Sequence, residues 1–353
     1  MDEFTSSHRL KLTLPQWAVV AVFGLAVMLS APRIWPVLEP LEAGKTYRMP
    51  YELSNDYAHY ARWAARAVES RDTVLIGDSV VWGQYVKPGE TLSDHLNALS
   101  GTERYANLGL DGAHPAALAG LVEHFGGAVR GKNVILQCNP LWMSSPKHDL
   151  REKEEFKFNH AALAPQFSPS IPCYKDDIET RLSRVVDRNL QFRGWTGHLQ
   201  AAYFDGLSVP SWTTKNPAEN PARRVTLKVP PPSDTLLHSP ISWVENGGRA
   251  VDFPWMALEE SFQFTQFLRA LDILRSRDNR VVVVVGPFNE HMCKPESLAR
   301  YATLRDAIAA KLRGMNVPAF VPAALPTETY GDASHPLSKG YEILARQLLD
   351  WKP

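Results

Sequence analysis

Short unbroken apolar runs alternate with longer periodic ones along most of this 353-residue chain. The short runs are Thr73–Ile76, Tyr105–Leu108, Asn133–Gln137 and Arg280–Val285, with Ala319–Val321 a weaker fifth. None alternates apolar with polar positions, so each predicts a strand covered on both faces, as in a parallel sheet. Between them, apolar residues recur at helical spacing over roughly 91–99, 115–129, 257–277 and 296–313. A helix over Asp56–Ser70 precedes the first strand, and a last one runs from Ser338, read as its N-cap, to about Leu349. Strands alternating with helices predict an α/β fold with a doubly wound sheet.

The amino end breaks this rhythm. Leu14 to Ala31 runs eighteen residues without a charge, about the minimum for a membrane span. Arg9 and Lys11 precede the run, and Trp17 and Trp35 stand where the two interfaces would fall. A cleaved signal would want small residues at both positions before the cut, and Leu29-Ser30-Ala31 puts a leucine at one of them. A retained anchor over 14–32 is therefore favoured over a cleaved signal segment. The expected order is a short cytoplasmic segment 1–13, the anchor, a proline- and charge-rich linker 33–52, and an extracytoplasmic body 53–353. Arg33, Lys45 and Arg48 follow the span, so the charge bias that orients it is weak.

About 140 residues separate the third strand from the fourth, where a crossover needs a dozen or so. Residues 145–256 are read as an insertion near the carboxyl edge of the sheet. The segment from Trp142 to Trp255 holds five of the ten tryptophans, Trp142, Trp195, Trp212, Trp243 and Trp255. They predict either a platform for sugar rings or, for most of them, the insertion's own small core.

Composition narrows the partners. Lys plus Arg equals Asp plus Glu, 38 each, with no basic stripe, so nucleic acid is not an expected partner. The three cysteines, Cys138, Cys173 and Cys293, have no zinc spacing. Cys138 reads as a buried strand-end thiol, and Cys173 and Cys293 as a pair that an oxidising compartment could bridge. No metal and no cofactor are expected.

In open α/β sheets, ligands sit beyond the carboxyl ends of the strands. Those ends carry Gly77-Asp78-Ser79, Asn107-Leu108-Gly109, Cys138-Asn139-Pro140 and Gly286-Pro287-Phe288-Asn289-Glu290-His291. Asp332-x-x-His335 lies just before the last helix. A serine hydroxyl needs a neighbouring base, and that base needs a group to hold its tautomer. His335 would take the proton of Ser79, and Asp332 would hold the imidazole. The N–H groups of Ser79 and Gly109 and the amide of Asn139 are suitable oxyanion donors. For Gly109 a turn requiring positive φ is the competing reading. Asp78 is expected to bond within its own turn, and His114 to be a solvated loop histidine. Trp142, Asn289 and His291 are candidate substrate contacts.

These residues, in this order, resemble the four sequence blocks of the SGNH (GDSL-type) hydrolases over roughly residues 70–140 and 280–350. The third block of that family usually reads Gly-x-Asn-Asp, and here it is Gln137-Cys138-Asn139-Pro140. The resemblance implies a flavodoxin-like three-layer α/β/α fold and a cofactor-free serine esterase or acyl-transfer mechanism. It implies Ser79 as nucleophile, Gly109 and Asn139 as oxyanion donors, and Asp332 and His335 completing the triad. An anchor joined to such a domain is also similar to envelope acyl-transfer proteins, which suggests an acylated, expectedly acetylated, envelope glycan as substrate and a membrane acyltransferase as partner. The competing expectation is a non-catalytic glycan-binding or assembly scaffold that retains the fold.

Overall fold

The computed structural model describes residues 12–352, so most of the expected cytoplasmic segment 1–13, with Arg9 and Lys11, lies outside the described residues. Five strands form one parallel sheet: β1 (Thr73–Gly77), β2 (Tyr105–Gly109), β3 (Asn133–Cys138), β4 (Arg280–Val285) and β5 (Ala319–Phe320). Their order is β2-β1-β3-β4-β5. All four pairings are parallel, with Gly77 opposite Gly109 at the carboxyl edge. Twelve α-helices are described: α1 (Leu14–Leu38), α2 (Tyr57–Ser70), α3 (Ser79–Trp82), α4 (Leu92–Ser100), α5 (Pro115–His124), α6 (Ile178–Asn189), α7 (Gln191–Tyr203), α8 (Val209–Lys215), α9 (Pro221–Arg224), α10 (Phe262–Arg275), α11 (Pro295–Gly314) and α12 (Ser338–Asp350).

The unbroken apolar strands have the expected cause. Val74 and Ile76 of β1 pack into one core with α2, α5, α10 and α11, while Leu75 points into a second with α4 and α12. Helices thus cover both faces of the sheet. Local chemistry sets the helix ends. Ser261 caps α10 by accepting the Phe264 N–H at 3.0 Å, which is why that helix begins five residues later than the periodicity alone suggests. Ser338 is the first helical residue of α12, not its cap, which is Leu337.

Residues 33–52 depart from the expected linker. α1 continues to Leu38 with Pro32 and Pro36 inside it. Glu39, Tyr47, Arg48 and Met49 are then buried in the body. The insertion is not a single unit. Tyr203, Phe204 and Trp212 form one small core, and Leu150, Ala164, Ile171, Cys173 and Tyr174 form another. Trp243 joins the core under α12, and Trp255 lies 5.0 Å from the Phe288 ring. The three cysteines are free. Cys173 packs beside Leu150 and Cys293 beside Phe288, so the expected pairing is not formed.

Candidate active site

Ser79 is the first residue of α3, and Asp78 caps that helix by accepting the Val80 N–H at 2.9 Å. The turn is held from several sides. Tyr341 Oη donates to Val80 O at 2.5 Å, and Asn107 Nδ2 donates to Val81 O at 2.7 Å. Buried Arg48 donates to the carbonyls of Trp82, Gly83 and Val86, with its guanidinium 4.0 Å from the Trp82 ring centre. These bonds satisfy the orphan carbonyls of a helix too short to pair its own.

The hydroxyl of Ser79 reaches His335 Nε2 at 2.7 Å. On the far side of the ring, His335 Nδ1 lies 2.8 Å from both carboxylate oxygens of Asp332. Because Asp332 only accepts when ionised, the ring proton sits on Nδ1 and Nε2 is left to accept. Asp332 Oδ1 also accepts the N–H groups of Ser334 and His335, at 2.9 and 3.0 Å. Segments 256 residues apart therefore meet within hydrogen-bond reach. Burial opposes the imidazolium of His335, but the charge and hydrogen bond of Asp332, then Asp78 and Asp111, outweigh it and raise the pKa. Burial likewise works against the charge on Asp332, and His335 with the two backbone donors outweighs it, lowering that pKa.

The expected oxyanion donors are arranged differently from one another. The Ser79 N–H has no acceptor among the described residues. The Gly109 N–H is taken by Asn107 Oδ1 at 2.9 Å. Gly109 does not need positive φ either. It is glycine because an added Cβ would lie 2.3 Å from Trp82 N, so its small size lets β2 approach α3. Asn139 spends one amide N–H on Asp78 Oδ2 at 2.8 Å, while its Oδ1 accepts the Leu141 N–H at 3.0 Å. The two bonds fix the amide's orientation and leave its second N–H for another acceptor.

Asp78 does more than its own turn requires. Its Oδ2 accepts from Asn139 and also from Trp142 Nε1, at 2.7 Å. One buried carboxylate thus joins the serine turn to both residues after β3. Of the other candidate contacts, Asn289 is fully buried and donates to Asp332 O at 3.1 Å, so it supports the acid loop. His291 Nε2 lies 3.1 Å from Leu325 O. His114 is buried, not solvated. It caps α5 by accepting the Ala117 N–H at 3.3 Å, and burial pushes its pKa down to about 3. Cys138 is a buried thiol whose pKa burial pushes up.

Three neighbours of the triad had no legible motif. Tyr85 lies 5.8 Å from the His335 ring and 5.1 Å from that of His238. Its edge fits against Gly331, where a Cβ would come within 2.7 Å; a glycine beside Asp332 was the one available sign. Gln84 Nε2 donates to His238 Nε2 at 2.8 Å, fastening a loop of the insertion beside the triad. Asp111, two residues beyond β2, has a buried Oδ1 with no hydrogen-bond partner.

Two clefts, of about 230 and 600 Å³, are lined by α2, α6 and α7, the larger also by α1, and contain none of the triad residues. The convergence of side chains, not the size of a cavity, marks the site. No group of three or more potential metal-ligating side chains occurs among the described residues. No family model matches the chain, and no curated protein matches it.

Proposed function

We propose that this chain is a membrane-anchored, extracytoplasmic serine esterase or O-acyltransferase of the SGNH type. It acts on acyl esters, acetyl foremost, of an envelope glycan. The observation that carries the reading is the Ser79–His335–Asp332 relay, with 2.7 and 2.8 Å contacts and the proton placed on Nδ1. The strand order 2-1-3-4-5 supports the flavodoxin-like part of the reading.

In the reaction, Ser79 Oγ attacks the acyl carbonyl carbon and its proton passes to His335 Nε2. The oxyanion forms against the Ser79 N–H and the free N–H of Asn139. As the intermediate collapses, the C–O bond to the leaving alcohol breaks, and His335 gives that alcohol its proton. Water or a glycan hydroxyl, deprotonated by His335, then attacks the acyl-serine; the acyl–Oγ bond breaks and His335 returns the proton to Ser79 Oγ. The unpartnered Asp111 oxygen is an acceptor suited to a hydroxyl of the bound glycan.

A fluorophosphonate probe applied to the full chain in vesicles tests this. Covalent labelling that disappears in Ser79→Ala supports the enzyme; a folded chain that takes no label refutes it. A non-catalytic scaffold is favoured by one observation, the Gly109 N–H already satisfied inside the protein, and the same experiment separates the two.

The base must be neutral to accept the serine proton. Because the His335 pKa is raised, kcat/KM is expected to fall with decreasing pH around a midpoint above the ordinary 6.5. A profile flat down to about pH 4, well below a histidine pKa, removes His335 as base. Asp78→Asn keeps an acceptor for the Val80 N–H but turns a donor toward the donors of Asn139 and Trp142. We expect kcat to drop by about 10²-fold, the usual effect of disturbing one oxyanion donor, with KM little changed. Steady-state kinetics on a chromogenic acetyl ester checks both.

A further inference from the structure

Helix α6 carries an apolar ridge on its exposed side. Its arginines turn inward. Arg181 donates to the backbone oxygens of Gln166, Tyr174 and Asp176, and Arg184 to Tyr174 Oη and the Asp176 carboxylate. Its aliphatic residues turn outward: Ile178, Leu182 and Val186, then Leu190 just past its end, are 70, 51, 45 and 46% exposed. At intervals of four residues they form one ridge about 18 Å long. A contiguous exposed ridge of this kind, with Arg181 and Arg184 turned away from it onto protein partners, marks a contact with an apolar medium.

The position of α6 identifies that medium. Only Leu190 separates it from α7, and α7 packs on the end of α1, with the Trp195 and Trp35 rings 5.7 Å apart. The charge-free run Leu14–Ala31 rises about 27 Å, nearly the thickness of a bilayer's hydrocarbon core. Residues from Pro32 onward therefore emerge at headgroup level, where Trp35 is a typical anchor. Arg33 there turns its guanidinium back to Leu29 O. Ile34, Val37 and Leu38, still on α1, are 51, 80 and 51% exposed, and the cleft of about 600 Å³ between α1 and the α6–α7 pair is walled partly by Trp35, Leu190 and Trp195.

We propose that the Ile178–Leu182–Val186–Leu190 ridge is a second membrane contact, lying in the boundary between headgroups and acyl chains of the bilayer that α1 crosses. The inference rests on α1 being a span. It assigns to the first part of the insertion a role outside the triad: an interfacial helix that seats the body on the membrane.

Site-directed spin labelling of the full chain in phosphatidylcholine–phosphatidylglycerol vesicles tests it. Labels go on Val22→Cys within α1, Leu182→Cys on the ridge and Lys339→Cys on α12; the three native cysteines are buried. Collision with oxygen, which concentrates in lipid, is compared with collision with a water-soluble nickel chelate. The label at 182 is expected to behave like that at 22, with oxygen collisions outweighing nickel collisions, and that at 339 to do the reverse. If 182 follows 339 while 22 stays in lipid, the ridge proposal is overturned and the anchor stands. If 22 also follows 339, the anchor fails and takes the proposal with it. A label at 182 shielded from both reagents places a protein, such as a second copy, on the ridge and overturns the membrane contact.

Discussion

Ser79→Ala and His335→Ala are each expected to reduce turnover of an acyl ester by about 10⁴-fold or more, a barrier increase of about 5.5 kcal/mol. The double variant should be barely worse than either single one. Nucleophile and base act as a unit, so removing one already removes the other's contribution. Asp332→Asn should approach the same loss by another route. The carboxylate receives the His335 ring N–H and two backbone N–H groups. An amide there has one acceptor atom for all three, and its NH₂ stabilises the wrong tautomer. Single-turnover kinetics with a chromogenic acetyl ester separates acylation from deacylation. A Ser79→Ala chain that retains more than about a tenth of its rate, far above the residual left by a lost nucleophile, would remove this serine from the chemistry.

His198→Ala is expected to destabilise the fold by about 3–5 kcal/mol, the usual result of leaving a buried charge without its partner. His198 is 3% exposed. Its Nδ1 lies 2.5 Å from Asp56 Oδ2 and its Nε2 2.9 Å from Glu39 Oε2. Arg62 completes the group at 3.2 Å from Glu39 Oε1, so two carboxylates face two cations. Although burial opposes it, the hydrogen bonds that His198 donates to Asp56 and Glu39 raise its pKa to about 9. Burial also opposes the charge on Glu39, yet His198, Trp35 and Arg62 hold it down at about 2. The two shifts fix the pH response. The Glu39 contribution is present above its ordinary 4.5 and lost as pH falls toward about 2. The His198 contribution is complete below its ordinary 6.5 and lost as pH rises through about 9. Unfolding midpoints in detergent micelles from pH 5 to 10 should therefore decline on the alkaline side in the native chain and less so in His198→Ala. Glu39→Gln combined with His198→Ala, which restores charge balance, should be less damaging than His198→Ala alone. Equal damage from both would mean that packing, not charge, holds this cluster.

The sheet was legible because its strands are buried on both faces. Continuous runs such as Val281–Val285 have few other stable placements. The residues that meet at Ser79 were legible because each follows a strand or precedes the last helix, where the topology gathers them. Bonds between side chains distant in sequence were not. Nothing in Gly77-Asp78-Ser79 announces that Asp78 binds Trp142, or that Arg48, in an apparent linker, caps the serine helix. His198 and His238 sit in the insertion, where neither period nor motif marks a partner. Gly109 does not adopt the positive φ that a turn there would have required. Its constraint is contact with Trp82, which only the packed structure reveals.

The union of α1 and the body at Glu39 has a consequence for range of action. A catalytic head on a flexible tether samples a hemisphere whose radius grows with linker length. Here helix runs directly into buried residues, so that radius shrinks toward zero. On the proposed reading, with α1 crossing the membrane, the serine is presented at a constant altitude above the lipid, and only chains that traverse that narrow stratum come under it.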